Sequence, residues 1–484
     1  MIREALRSPR NVMFMMAGFA ILLRFFSFFP SVMDHDESTY IVIADALRHG
    51  QVYLRDVVDT KPIGIFALFA LLQSVFGKSI LVIRIITAVW VGLTGWMLYL
   101  IHRLLVPATD DSAYHPGAIA SGMMYIFMTS TFTFFGVSPN TELFFVLFTV
   151  IALYLLLSQS HQIWVFIAGL LLGMGFMIKY VVAFDALAIG LFYIWKQVVD
   201  GKTIWFWLSR CVIMGVGFLL PLAGTWWYYD QLGMRETFMF FTFELSGRYF
   251  THPTWHAYVT FMLDGMLRYL PVTLMFLWMT RQWRVNGPAL AILSWLWIVL
   301  VTFVILMPGR MFYHYFIQAM VPLTLLAGGF FNDQNLLTLN WQWLRKPAVM
   351  PTIVIVLLVG NILIQKKDYF DKPDYQRQAA EFLKPKLKPE DIIYTANSHQ
   401  IIYHLTDRLS PTPYVHPSLL WHPKNVAALG IDQEQEWRKI LEQQPRYILL
   451  GKPSKELDAF VEAMTPSYHS VISFGKDVHI YEKN

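Results

Sequence analysis

The sequence is short of charge. Of its 484 residues only 15% are Asp, Glu, Lys or Arg, against roughly 25% in soluble domains. That scarcity, with 56% hydrophobic residues and a mean hydropathy of +0.46, excludes a wholly soluble chain and implies a polytopic membrane protein with a soluble part attached. Cysteine is almost missing: Cys211 alone leaves no intrachain disulfide and no thiolate metal cluster. An internal repeat of the kind found in many transporters is absent too. A pI near 9.0 does not point to nucleic acid, because the basic residues are scattered between apolar segments. A positive-inside bias accounts for them better.

What is present is a series of apolar runs of about span length. Eleven qualify: 11–32, 80–105, 117–136, 142–159, 162–180, 181–198, 209–229, 257–280, 288–307, 311–331 and 347–365. The first follows Arg3, Arg7 and Arg10, lacks a small-residue cleavage site and reads as a retained span rather than a signal peptide. The run PIGIFALFALLQSVFG at 62–77 is short and bounded by Pro62 and Gly77, which suits an interfacial helix. Eleven spans put Arg103, Lys196, Lys202, Arg210, Arg281, Arg284, Arg345 and Lys346 on the cytoplasmic side with the N-terminus. The loop 33–79, the SPNTE turn at 138–142, the loop 230–256, the GRMFYHY turn at 309–315 and residues 366–484 then face the other side.

The expected architecture is therefore an α-helical polytopic membrane protein of about eleven spans, with interfacial helices in its first extracytoplasmic loop. Residues 1–365 form the membrane domain and 366–484 a small extracytoplasmic α/β domain. In the latter, strand-like runs at 392–398, 446–451, 470–475 and 478–484 alternate with helix-like stretches at 374–385, 432–443 and 453–464. No glycine-rich phosphate loop or paired-cysteine motif occurs there, and acceptor binding or covering of a membrane site are both open roles for it.

The polar chemistry concentrates in the first loop, which opens MDHDESTY. The spacing predicts a helix from Ser38 to His49, ending at Gly50, with Asp36 and Glu37 near its N-terminus. Such carboxylates fit helix capping and fit a catalytic acid cluster equally well. Lys61, before Pro62, fits a snorkelling lysine at a membrane boundary. Elsewhere, Lys179 and Asp185 fit a mutual ion pair or a functional contact, and Asp264 with Arg268 fits a structural i, i+4 pair. His252 and His256 have metal-ligand spacing, but Pro253 argues against a regular helix through them.

Taken in order, the motifs resemble one family. D-E-x-x-Y (Asp36, Glu37, Tyr40), Y-x-R-D, K-P at 61–62, P-N-T-E at 139–142, G-x-x-x-x-x-K at 173–179 and G-R-x-F-x-H-Y-F-x-Q-x-x-x-P at 309–322 are similar to bacterial GT-C glycosyltransferases. That group includes the protein O-mannosyltransferase-like enzymes and the lipid A aminoarabinose transferases. The resemblance implies a multi-pass inner-membrane enzyme. It would move a sugar from a polyprenyl-phosphate carrier to a glycan, lipid or protein hydroxyl, inverting the anomeric carbon on the extracytoplasmic or periplasmic face. It implies Asp36 as general base, Glu37 as an orienting group and Asp34 as the fallback base. Lys61 would bind the phosphate, and Glu142, Arg310, His314, Arg248 and Tyr40 would contact substrate. Lys-Pro-Ile here replaces the commoner Lys-Pro-Pro, and Glu142 stands where the family often has Asp. The resemblance implies no definite cofactor, and acidic loops in related enzymes leave room for a divalent metal. The alternatives are a transporter or flippase of lipid-linked sugars and a non-catalytic membrane binding or assembly protein.

Overall fold

A computed structural model describes residues 6–106, 115–131, 136–248, 250–282, 288–346, 348–397 and 399–484. Arg3 and Arg284 of the expected cytoplasmic set, residues 132–135 of the expected span 117–136 and Ser398 of the first strand-like run fall outside them. The chain forms two compact units. One comprises Met1–Phe28, Arg84–Tyr228 and Phe250–Lys367; the other comprises Phe29–Ile83, Tyr229–Tyr249 and Asp368–Asn484. The second unit thus joins the first loop to the C-terminal part, whereas the sequence boundary at 365/366 grouped the loop with the spans.

The first unit is helical. Among the described residues, seven helices are long and apolar enough to cross a membrane, or eight if one bent pair counts as a span. Helices Pro9–Leu23 and Gln162–Ile178 are apolar but shorter. Apolar side chains such as Trp205, Val212, Val216 and Trp227 stand exposed along Ile204–Gln231, as a lipid-facing surface requires. Two expected spans are interrupted. The run 11–32 ends its α-helix at Leu23, and Arg24 turns its buried guanidinium to the carbonyls of Gly136 (2.7 Å) and Val137 (2.6 Å). The run 257–280 is not one straight span: helices Trp255–Arg268 and Leu270–Arg281 meet at 91°. Pro271, in the first turn of the second helix, has no N–H to donate and its ring clashes with a preceding turn, so the helix restarts there.

Close helix packing in this unit depends on glycine. A Cβ on Gly169 would lie 2.1 Å from the carbonyl of Met214, and one on Gly173 would lie 2.3 Å from that of Phe218. Gly217 answers from the facing helix, 2.4 Å from the carbonyl of Phe166. The glycine of the G-x-x-x-x-x-K motif is therefore a packing position, of the small-residue kind that lets membrane helices approach.

The second unit holds two helices of the first loop, His35–Arg48 and Ile63–Phe76. The latter, 14 residues long, spans about 21 Å, short of a bilayer core. Its C-terminal part carries a four-stranded sheet of β1 (Ile393–Thr395), β2 (Tyr447–Leu450), β3 (Tyr468–Phe474) and β4 (Val478–Lys483), in the order β1-β2-β4-β3. β1 and β2 pair in parallel; β4 runs antiparallel to both β2 and β3. Helices Tyr375–Leu383, Gln433–Glu442 and Asp458–Met464 occupy the three expected helical stretches. Tyr394, Trp421, Trp437, Ile448 and Phe460 form the core beneath the sheet. The short helices Ile401–Thr406, Pro417–Trp421 and Pro423–Leu429 have too little length to show periodicity in the sequence.

Gly173→Leu should lower the melting temperature of the detergent-solubilised protein, by an amount equivalent to roughly 3 kcal/mol or more for overpacking against backbone. Gly18→Ala, whose Cβ meets open space, should leave it unchanged or slightly raised.

Candidate functional site

In the second unit, the loop helix begins with a division of labour among its acids. Asp34 has extended backbone and its Oδ1 accepts the N–H of Glu37 at 2.7 Å, so Asp34 is the N-cap. Ser38 and Thr39 bond back to the carbonyls of Asp34 and His35. Glu37 is buried, 1% exposed, and faces the interior of the unit. Asp36, in the same first turn, meets Lys61: Nζ lies 2.9 Å from Asp36 Oδ1 and 3.4 Å from Asp59 Oδ1.

Several contacts hold Lys61 there. Asp59 Oδ1 also accepts the backbone N–H of Lys61 at 3.1 Å, and the Tyr53 hydroxyl donates to the carbonyls of Asp59 and Lys61. The Tyr40 ring lies 5.3 Å from the ammonium, backed by edge-on Phe66 and Phe69. Burial alone would push the Lys61 ammonium down. The carboxylates of Asp36 and Asp59 outweigh it and hold the group well above the ordinary lysine range, so it stays charged. Tyr40 is fully buried, with its ring beside the lysine.

A third group reaches Asp36 from the C-terminal part. His416 Nε2 lies 3.7 Å from Asp36 Oδ1, and its ring is 6.0 Å from that of His35. The same part fastens the rest of the loop helix. Gln400 donates to the His35 carbonyl, His404 Nδ1 is 2.6 Å from Asp45, and Lys78 lies between Asp45 (3.6 Å) and Asp407.

In the first unit, Glu142 sits in the first turn of Thr141–Ser158 and is 1% exposed. It is ion-paired with Lys179 and accepts from Thr141 Oγ1 at 2.9 Å. Lys179 caps the end of Gln162–Ile178 with its ammonium 4.3 Å from the Tyr315 ring centre. His314 stacks on Phe312, meets Tyr315 edge-on, and lies close enough to Glu142 to interact electrostatically. The turn carrying half-buried Arg310 is pinned at Gly309 (φ +67°), where a Cβ would lie 2.1 Å from the carbonyl of Thr251.

These geometries decide one alternative that the sequence left open. Lys179 and Asp185 do not pair with each other; Asp185 is buried and accepts from Trp297 Nε1 and Gln318 Nε2. Arg248 is exposed, 3.6 Å from Glu244 one turn back and over the Phe240 ring. Asp264 and Arg268 do pair, at 2.7 Å. The helix after His252 starts only at Trp255, so His252 and His256 share no helical face. Among the described residues, no group of three or more His, Cys, Asp or Glu side chains is placed to hold a metal ion.

Residues 60–226 match the family described as dolichyl-phosphate-mannose-protein mannosyltransferase. No curated protein matches the chain in sequence. The fold is similar to the crystal structure of ArnT from Cupriavidus metallidurans bound to undecaprenyl phosphate. The TM-score is 0.69 at 12% identity, over 96% of this chain and 97% of that one. The apo state of the same protein gives 0.64 at 13% identity, over 92% of each chain. The sequence match covers about a third of the chain, and the structural likeness extends one fold over nearly all of it.

Within this fold, the motif residues fall into two clusters. Asp34, Asp36, Glu37, Tyr40 and Lys61 gather in the second unit, and Glu142 with His314 in the first. Sequence patterns did not flag His416, Asp59 as a second partner of Lys61, or the Glu142–Lys179 pair. P-N-T-E and G-x-x-x-x-x-K each present one lone charge in an apolar setting, which marks both as needing a partner without naming it.

Glu142→Gln should leave the Lys179 charge buried without its counterion and destabilise the protein by roughly 3–5 kcal/mol. The double variant Glu142→Gln/Lys179→Met should recover most of that in detergent-phase unfolding. Additive losses would show that the two charges act independently.

Proposed function

We propose that the chain is an inverting glycosyltransferase that takes its sugar from a polyprenyl-phosphate carrier on the extracytoplasmic face of the inner membrane. The acceptor is a hydroxyl of a glycan, lipid or protein. The observation that carries this reading is the Asp36–Lys61 pair, a carboxylate and a charged lysine 2.9 Å apart in the first loop of a GT-C fold. The ArnT structure with undecaprenyl phosphate supports a lipid phosphate as the donor class.

The reaction requires a base for the acceptor hydroxyl and a cation for the phosphate that leaves. Asp36 takes the hydroxyl proton as the acceptor oxygen bonds to the anomeric carbon. The bond from that carbon to the phosphate oxygen breaks on the opposite side, and its electron pair stays on the polyprenyl phosphate. Lys61 balances that charge as a compact, permanently protonated ammonium. Because Lys61 is already bonded to Asp36, an arriving phosphate competes for it, and the competition loosens the carboxylate for its role as base. Asp34 is occupied as the helix cap, which favours Asp36 over it. Glu37 and Tyr40, both buried, act by holding the helix and Lys61 in place. Glu142, His314 and Arg310, in the first unit, are assigned to substrate contact by the motif resemblance alone. The transporter reading would call on a buried span carboxylate, and Asp185 is one, but Trp297 and Gln318 both bond it.

The test uses the purified protein in lipid nanodiscs, a labelled polyprenyl-phosphate sugar and envelope glycolipids from a strain lacking the chain. Asp36→Asn should reduce kcat by roughly a hundred- to ten-thousand-fold, the worth of a positioned base. Lys61→Ala should act mainly by raising KM for the donor. Transfer by Asp36→Asn at a near-wild-type rate, or an unchanged donor KM in Lys61→Ala, would contradict the respective role.

A further inference from the structure

We infer that His416 is a positioning residue for Asp36, supplied by the C-terminal part of the chain; this rests on the transfer reaction proposed above. The imidazole is oriented by what its other nitrogen does. His416 Nδ1 accepts the backbone N–H of Ser418 at 3.2 Å, and a backbone N–H can only donate. Ser418 Oγ, which receives Asn425 Nδ2 at 3.0 Å, lies 2.8 Å from the same nitrogen. Nδ1 therefore carries a lone pair, and the proton of the neutral ring sits on Nε2. Nε2 is the atom that faces Asp36 Oδ1 at 3.7 Å.

Burial keeps the His416 imidazole below its ordinary range, against the opposing pull of Asp36 and Asp59, so it stays neutral and keeps a single donor toward the carboxylate. The segment that carries it is fixed to the first loop by backbone contacts. Val58 donates to the Pro413 carbonyl at 2.8 Å and forms a parallel bridge with Tyr414. The ring thus has a set place relative to Asp59 and Lys61.

At 3.7 Å the contact is longer than a hydrogen bond, and Lys61 holds the same oxygen at 2.9 Å. Catalytic contacts in substrate-free structures are often long and tighten with substrate. When the donor phosphate draws Lys61 away, Oδ1 loses its cation and His416 Nε2–H is the donor poised to take it over. Asp36 then keeps its orientation while it accepts the hydroxyl proton, and His416 itself takes up none.

The rival role for His416 is purely structural, as N-cap of the short helix Pro417–Trp421. Two variants separate them. His416→Asn keeps a capping oxygen where Nδ1 stands but cannot reach Asp36. His416→Gln places an amide N–H where Nε2 stands but caps poorly. Both are assayed in nanodiscs beside the wild type, with melting temperature in parallel. Positioning predicts that His416→Asn loses roughly ten- to a hundredfold in kcat, the worth of a hydrogen bond to a charged group. Its donor KM and melting temperature stay near wild type, and His416→Gln restores much of kcat. Wild-type kcat in His416→Asn, equal losses in both variants, or a kcat loss that tracks a fall in melting temperature would each overturn the role. Absence of transfer by the wild type would overturn the reaction itself, and this role with it.

Discussion

The arrangement of the first loop turns on one lysine shared between two acids. Asp36 and Asp59 together carry more negative charge than Lys61 neutralises, and all three lie in a largely buried setting. Charges removed from water in this way are tolerated only when they are paired and bonded. The Tyr53 hydroxyl, the Tyr40 ring and the Asp59 contact to the Lys61 backbone serve that pairing. The lysine is therefore held in place before any substrate arrives, and an anionic substrate would have to compete with Asp36 for it. A lysine in open solvent would bind phosphate with more loss of side-chain freedom; here that cost is met on folding.

The C-terminal part matters for the same reason. Its sheet is a conventional small core, but the residues ahead of β2 reach the loop helix at Gln400, His404 and His416, and Asp407 meets Lys78. The loop helix has ten buried residues in 14, more than its own length could shelter. Its polar groups at both ends, His35 and Asp45, find partners more than 350 residues away. The domain is thus part of what holds Asp36 in position, beyond any contact it makes with an acceptor.

What the sequence revealed followed from local physics. The helical spacing after Ser38, the stop at Gly50, the strand-like runs at 470–475 and 478–484, and the helix-like stretches at 374–385 and 432–443 all depend on neighbours within a turn or two, and the structure has an element at each. The roles of three adjacent acids did not follow. Which of Asp34, Asp36 and Glu37 caps the helix depends on one residue's extended backbone, and that leaves Asp36 for Lys61. Pairings at long range were illegible for a different reason. Nothing near Asp45 announces His404, and nothing near Lys179 chooses Glu142 over Asp185. The break at Pro271 was visible as a residue but not as a 91° turn, since proline is tolerated inside other membrane helices, Pro221 among them.

If Lys61 is the shared element, removing its competitor should sharpen its hold on phosphate. The decisive measurement is the affinity of undecaprenyl phosphate, without sugar, for wild-type protein and Asp36→Asn, by native mass spectrometry from matched nanodiscs. Tighter binding by Asp36→Asn is the result this account predicts, because the lysine no longer divides its contacts with that carboxylate. Unchanged or weaker binding would contradict it.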